Sequence, residues 1–463
     1  MNSARHIAVI DIGKTNAKLA LVDQTSLQEI DVVTRPNTVQ PGPPWPYFDV
    51  DGHWQFLLDG LRDFHARHGI HGISITTHGA CVALLDQNGE LVAPILDYEH
   101  NGPDSVSEDY DTIRPDFAET GSPRLPMGLN IGAQLHWQFQ QDPTLLDRIH
   151  TMVTYPQYWA QKLCGEFAID ICSIGCHTDL WNPIAGDYSS LCDKLGIRNK
   201  LAPVRKPTEV LGNLLPQITR QTGIPEETPI VCGIHDSNAS LYAHLVAMKS
   251  PFSVVSTGTW VIAMAVTDNP PVLDPQRDTL MNVSALGQAV PSARFMGGRE
   301  FELIQQGLAL SATHSNALTT LTKGTMLLPA VEPTSGPFAG ATAQWLPVEP
   351  IAPNPEREVA LSFYLALMSF ECLQLAGSEG AVVVEGPFAR NQFYLDMLQA
   401  LSEGPVIACE SATGTSIGAA LLFDSAETQS TADELPSLVP SYQGALQDYA
   451  KKWKIYASQT PLT

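Results

Sequence analysis

Positive charge is scarce in this chain. Its 463 residues carry 26 lysines and arginines against 49 aspartates and glutamates, a formal net charge of −23. A field of that sign repels nucleic acid and anionic membrane, so neither is an expected partner. It repels phosphate-bearing ligands too, so a site for one must rely on local backbone N–H groups, lysines and a metal ion. Charge of either sign is sparse, at 16% against 44% hydrophobic residues, which excludes a disordered or fibrous chain. The length is enough for two domains with full cores. No stretch reaches the ~18 consecutive apolar residues of a spanning helix, and no apolar signal region opens the sequence. The expectation is a soluble, cytoplasmic protein.

Cysteine is thin and scattered, at Cys81, Cys164, Cys172, Cys176, Cys192, Cys232, Cys372 and Cys409. Cys172 and Cys176, beside His177, lack a second pair at zinc-finger spacing and read as buried thiols. A complete P-loop is missing as well. Gly13-Lys14-Thr15 would need a glycine at position 8, which is Ala8, and a helix afterwards, where the sequence reads as a strand.

What is present is a pair of glycine–threonine hairpins. His6–Ile12 and Ala17–Asp23 are β-rich runs around Gly13-Lys14-Thr15-Asn16, with Asp11 and Lys18 close by. Phe252–Ser256 and Trp260–Val266 repeat the layout around Thr257-Gly258-Thr259. Two phosphate-holding turns facing each other across a cleft would explain the echo. Between them an apolar run, Ile230–Cys232, ends on Gly233 and delivers His235-Asp236-Ser237 into a small-residue helical run. An aspartate at a strand end can serve as a base, or simply cap the helix.

The remaining chain reads as an α/β alternation. Pro41–Asp51 is a proline-rich loop, and Trp54–Gly69 has amphipathic helical spacing. Gly72–Asp86 reads as strand, His78-Gly79 interruption and strand, with Asp97–His100 a loop suited to hydroxyls. Helices are expected over Leu129–Phe139, Pro143–Ile149 and Tyr158–Leu163, and Pro203–Pro229 is loop-rich. Glu356–Leu375 has the apolar density of a long buried helix. Ala381–Glu385 runs into Gly386-Pro387-Phe388-Ala389-Arg390-Asn391 and a helix, and Ser411–Phe423 is a Gly/Thr loop opening another.

Taken in order, these pieces resemble the FGGY family of sugar kinases across nearly the whole chain. Asp11 to Asn16 with Lys18 resembles the first phosphate motif, and Gly233 to Ser237 with Ala239 the catalytic-base motif. Ser256 to Trp260 resembles the second phosphate motif, and Glu385 to Asn391 the adenosine motif. Lys14 departs from the small residue common there, and the three-glycine adenosine loop is reduced to Gly386-Pro387-Phe388.

The resemblance implies two actin-like, RNase-H-like α/β ATPase domains with a deep interdomain cleft. Residues 1–246 would bind sugar and carry the base, and 247–463 would bind nucleotide. It implies ATP and Mg²⁺ as cofactors, a sugar as substrate, and it allows a homodimer. Asp236 would take the proton of a primary hydroxyl attacking the γ-phosphorus. Asp11, Gly13, Lys14, Thr15, Asn16, Lys18, Gly258, Thr259, Gly386 and Asn391 would hold nucleotide, with Asp11 also serving the metal. His78, Gly79, His235, Asp236 and Ser237 would line the sugar.

Gly-Thr-Trp with Gly-Ile-His-Asp resembles the rhamnulokinase and fuculokinase branch, whose substrates are 6-deoxy-ketohexoses. A pentulose kinase, a non-catalytic sugar-binding regulator and a nucleotide-driven assembly protein are the alternatives. Sugar-stimulated ADP release separates the kinases from the other two.

Overall fold

The structure is a computed structural model that describes residues 5–308, 311–409, 414–423 and 442–459. The described residues fall into two compact units. One contains 5–247, 281–289 and 414–423, and the other contains 248–280, 290–409 and 442–459 apart from the undescribed positions.

In the first unit the central sheet is built from β1 (His6–Ile12), β2 (Asn16–Asp23), β3 (Gln28–Pro36), β4 (Gly72–Thr77), β5 (Val210–Asn213), β6 (Pro229–Val231) and β7 (Ile234–His235). Their order is β5-β6-β4-β1-β2-β3, with β7 also paired to β4. β1 is antiparallel to β2, and β2 to β3, while β4 runs parallel to β1, β6 and β7. β1 and β2 are almost wholly buried because Ile7, Val9, Ile10, Leu19, Leu21 and Val22 pack on both faces of the sheet.

The second unit repeats this plan. β8 (Phe252–Thr257), β9 (Val261–Val266), β10 (Ala289–Phe295), β11 (Ala381–Glu385) and β12 (Val406–Cys409) lie in the order β10-β9-β8-β11-β12. The first three are antiparallel, and β11 and β12 continue parallel to β8. Each sheet sets two antiparallel strands on one side of its first strand and a parallel strand on the other, the actin-like arrangement; the first sheet ends in β5, antiparallel to β6, and the second carries a further edge strand, Thr279–Val283, beside β10. The two glycine–threonine turns occupy equivalent places, each joining the first strand to the second.

Helix α1 (Val50–His68) buries Leu57, Leu58, Leu61 and Phe64 on one stripe. It starts four residues earlier than its apolar spacing predicts, because Asp49 accepts a 3.0 Å hydrogen bond from Gly52 N and caps it inside the proline-rich stretch. Helix α2 (Tyr155–Cys164) is buried nearly throughout and stops at Gly165, whose φ is 85°. The two strands expected in Gly72–Asp86 are both present and belong to different sheets. β4 belongs to the central sheet, whereas Val82–Leu85 pairs with Thr151–Thr154. The loop-rich stretch before Pro229 holds β5 and a short helix, Pro216–Thr222.

Helix α3 (Asp236–Ala247) leaves the end of β7 and is crossed by α4 (Gly414–Ala420). A Cβ on Gly418 would stand 1.8 Å from the Ala239 carbonyl oxygen, so only glycine permits that crossing. Ser240 Oγ meets Thr415 Oγ1 at 3.1 Å, and Ser74 Oγ donates to the Ala419 carbonyl at 2.7 Å. Residues 411–413 of the expected loop lie outside the described residues. In the second unit Pro355–Ala376 is long and apolar enough by length and composition to cross a membrane. Its Val359, Leu361, Phe363, Leu365, Leu367 and Met368 are buried in the unit's core. Among the described residues no cysteine forms a disulfide, and all are buried except for partly covered Cys409.

Candidate active site

The pairing register of the first unit brings the motifs together. Asp11 and Ile234 flank Thr76 on β4, and one residue on Ile12 and His235 flank Thr77. The next step carries Gly13, His78 and Asp236 off the carboxyl ends of three neighbouring parallel strands. Ligands of open α/β sheets bind at this kind of edge. The hydrogen bond from His78 N to the Ile12 carbonyl, 2.8 Å, holds two of the three ends together.

Asp236 opens α3, and its two carboxylate oxygens differ. Oδ1 accepts from Ser237 N at 2.6 Å and from Ser237 Oγ at 3.3 Å, and lies 3.1 Å from His235 Nε2. The Asn238 amide nitrogen donates to His235 Nδ1 at 3.3 Å, so Nε2 carries the hydrogen that faces Asp236. Oδ2 receives none of these three groups and is the oxygen left to take a proton. Burial pushes the Asp236 carboxyl above the usual carboxylate range, and the neighbouring His78 ring and the hydrogen bonds from Ser237 oppose the rise. The side chain remains 32% exposed, open to a ligand. Burial also drives the His235 ring down to about 4, so it works as a neutral donor.

Asp11 stands beside this group. Burial raises its carboxyl to about 6 even though Lys18 pulls the other way, and the Asp236 charge adds to the rise. Lys18 Nζ sits 3.4 Å from Asp11 and 3.1 Å from Glu29. Among the described residues no three His, Cys, Asp or Glu side chains gather as metal ligands. A magnesium ion here would therefore rest on Asp11 with water and phosphate oxygens, a donor set that suits its reluctance to lose water.

In the adjoining turn Gly13 N donates to the Asn16 carbonyl at 2.9 Å. A Cβ on Gly13 would come no nearer than 3.4 Å to any protein atom, so folding does not require glycine there. The Lys14 ammonium contacts Asp97, lies 3.1 Å from Glu99, and stands over the rings of Tyr98 at 4.7 Å and Phe48 at 5.2 Å. Its backbone remains in the turn while its charge joins the Asp97–His100 loop.

His78 is enclosed by Phe48, Tyr155 and Tyr98, with ring centroids 4.9, 5.1 and 5.2 Å away. Nδ1 lies 2.9 Å from the Gly79 carbonyl and so must carry the hydrogen. Nε2 is then an acceptor, buried and without a protein partner. Burial lowers the ring to about 4 and keeps it neutral. A hydroxyl of a ligand would satisfy that nitrogen, and the rings would cover the ligand's apolar face. Gly79 is tight because a Cβ would stand 2.8 Å from His235 Nε2. Tyr98 belongs to the Asp97–His100 loop expected to suit hydroxyls, whereas Phe48 and Tyr155 come from distant segments that no motif marked.

In the second unit Gly258 N donates to the Trp260 carbonyl at 2.9 Å, closing the β8–β9 turn. A Cβ on Gly258 would be 3.8 Å from its nearest neighbour, again leaving room. Gly386 differs: its φ is 81°, and a Cβ would lie 2.0 Å from the Thr257 carbonyl oxygen. Thr257 Oγ1 donates to the Glu385 carbonyl and accepts from Phe388 N at 3.1 Å, tying the loop after β11 to the turn. Gly298, absent from the motif reading, packs on the same turn, its Cβ position 2.0 Å from the Gly258 carbonyl oxygen. Asn391 caps the following helix by accepting from Tyr394 N at 3.1 Å, and it donates to Ser362 Oγ at 3.0 Å. Trp260 lies under the Arg294 guanidinium at 4.5 Å, and Asp278 holds that group at 2.9 Å. Thr259 is exposed on the turn.

Residues 6–243 match the N-terminal domain of the FGGY family of carbohydrate kinases, and residues 249–432 match its C-terminal domain. The chain is 26% identical to the L-fuculokinase of Salmonella typhi over 270 residues, 56% of each protein. It is 22% identical to the autoinducer-2 kinase of Salmonella paratyphi A over 298 residues, 60% of this chain and 54% of that one. The chain thus spans about half the length of these relatives. A carbohydrate kinase from Novosphingobium aromaticivorans superposes with a TM-score of 0.91 at 34% identity over 99% of both chains. Xylulose kinase from Lactobacillus acidophilus shares the fold, with a TM-score of 0.80 at 17% identity over 98% of both chains. The repeated sheet, the carboxylates at the strand ends and these matches lead to one assignment: the chain belongs to the FGGY family of carbohydrate kinases.

Proposed function

We propose that the chain is a cytoplasmic ATP-dependent sugar kinase that phosphorylates a primary hydroxyl of a ketose. The observation that carries this reading is the asymmetry of Asp236, whose Oδ1 is held by its neighbours while Oδ2 is left for a proton. In the reaction Oδ2 takes the hydroxyl proton as the sugar oxygen bonds to the γ-phosphorus, and the bond from that phosphorus to the ADP oxygen breaks. His235 and Ser237 hold the base, while His78 Nε2 and Gly79 receive the sugar. Asp11, Lys18 and the Gly13–Asn16 turn hold phosphate and its Mg²⁺, which neutralises phosphate charge when bound. The first unit is the sugar half in this reading. The second is the nucleotide half, through Gly258, Thr259, Gly386 and Asn391, the last acting through its cap.

Asp236→Asn should lower kcat by about 10²–10⁴-fold, the usual contribution of a general base, with sugar affinity within a few-fold. Turnover near wild type in the folded variant would overturn the assignment.

The sugar is read as a 6-deoxy-ketohexose, L-rhamnulose or L-fuculose. The Gly258-Thr259-Trp260 and Gly233-Ile234-His235-Asp236 motifs and the likeness to L-fuculokinase support this. A methyl group packed on the rings around His78 would add roughly 1 kcal/mol, a preference of about tenfold. A pentulose is the second reading, favoured by the fold shared with xylulose kinase. ADP release measured on L-fuculose's ketose, L-rhamnulose, D-xylulose and glycerol compares them directly. A higher kcat/KM for D-xylulose or glycerol would remove the deoxy-sugar reading and leave the kinase standing.

A further inference from the structure

Behind the Gly13 turn, on the side away from Asp236's helix, lies a chain of polar side chains that the proposed chemistry does not use. Asp49, at the cap of α1, contacts the Arg35 guanidinium on β3. Arg35 Nη1 is 2.8 Å from His53 Nδ1 in the first turn of α1. His53 Nε2 is 2.8 Å from Asn37 Oδ1. Asn37 closes the chain twice, its Nδ2 donating to the Gly13 carbonyl and its backbone N to the Thr15 carbonyl, both at 2.8 Å. His53 is completely buried and Asn37 is 7% exposed.

The direction of every bond follows from its donors. A guanidinium only donates, so His53 Nδ1 must accept and Nε2 must carry the hydrogen. Asn37 Oδ1 then faces the ring, which leaves the amide N–H for Gly13. Burial and the Arg35 charge push the His53 ring down to about 4, so it remains neutral and this tautomer persists. The two carbonyls of a three-residue turn are thereby fixed from behind, and the chain is satisfied at each step.

We infer that His53 and Asn37 are positioning residues that hold the Gly13–Thr15 turn in the geometry that receives nucleotide phosphate. The inference rests on the reading of that turn as a phosphate site. A turn free to shift by a fraction of an ångström loses its alignment with the ligand, and alignment is most of what phosphoryl transfer asks of a protein.

The test uses four variants of the full chain, each with a melting curve and separate KM values for ATP and sugar. Gly13→Val has room to fold and checks the turn itself. If it leaves the KM for ATP unchanged, the phosphate reading fails and the inference falls with it. His53→Phe fills the same space without hydrogen bonds. It should raise the KM for ATP about tenfold, the scale of one lost buried bond, with the KM for sugar within about twofold. His53→Gln can both accept from Arg35 and donate to Asn37, and should restore most of the ATP affinity. Asn37→Asp replaces the donor to Gly13 with an acceptor and adds a negative charge, so it decides the matter, if His53→Phe melts early, through its salt dependence. A rise in KM for ATP that persists at high salt, where repulsion is screened, supports positioning; a rise that salt abolishes is repulsion alone and counts against it. If Gly13→Val weakens ATP while His53→Phe or Asn37→Asp folds and binds ATP normally, the bracing role is wrong and the turn assignment survives.

Discussion

At the scale of single residues, burial separates groups that the sequence presents as equals. Asp11 and Asp236 are both raised by burial, Asp11 to about 6. In the proposed function each acts as a carboxylate, Asp11 toward the metal and Asp236 as the base. The proton that inactivates them binds as pH falls, so kcat/KM should decline below about pH 6 and level off above it. A profile flat from pH 5 to 8 would contradict these roles. Asp236 was legible from its place at a strand end followed by a helix, and His78 from its interruption of two apolar runs. Lys14 was not, because its ammonium is claimed by Asp97 and Glu99, more than eighty residues away in sequence. Asn391 reads as a ligand residue by motif, yet both ends of its amide are already bonded within the protein.

At the scale of elements, the hairpins were legible because β-branched residues crowd both sides of a Gly/Thr turn. The start of α1 was hidden by the prolines ahead of its Asp49 cap. The strand Val82–Leu85 was legible as a strand, but its pairing with Thr151–Thr154 was not, since an apolar run shows a strand and not where it pairs. The turns also sort their glycines by purpose. Gly258 faces open space, whereas Gly386 is forced by a positive φ and by the Thr257 carbonyl. Gly258→Val should leave the ligand-free melting temperature nearly unchanged and raise the KM for ATP far more than that for sugar. Gly386→Val should lower the melting temperature outright, because its side chain meets backbone that cannot yield. Similar melting curves for the two variants would remove the distinction.

At the scale of the whole molecule, buried acids and buried histidines oppose one another in the response to pH. Asp11 and Asp170 are raised to about 6 and Glu300 to about 7, chiefly by burial. The folded state therefore holds protons that the unfolded state has released, and these groups lose stability as pH rises through that range. His53, His78 and His235 are lowered to about 4, so they lose stability as pH falls from their ordinary 6.5. The windows overlap, and melting temperature should be nearly level from about pH 4.5 to 6, then fall gently toward 7. Glu300→Gln should flatten that final decline. A steep rise in melting temperature across pH 4.5 to 6 would show that the opposition is absent. The acid excess has a further consequence at the strand ends. Lys14 faces Asp97 and Glu99, and Lys18 faces Asp11 and Glu29, so each ammonium already stands between two carboxylates. In the proposed reaction an uncharged sugar would enter such a site without electrostatic objection, and its phosphorylated product, an anion among carboxylates, would be pushed out, which would protect turnover from accumulated product.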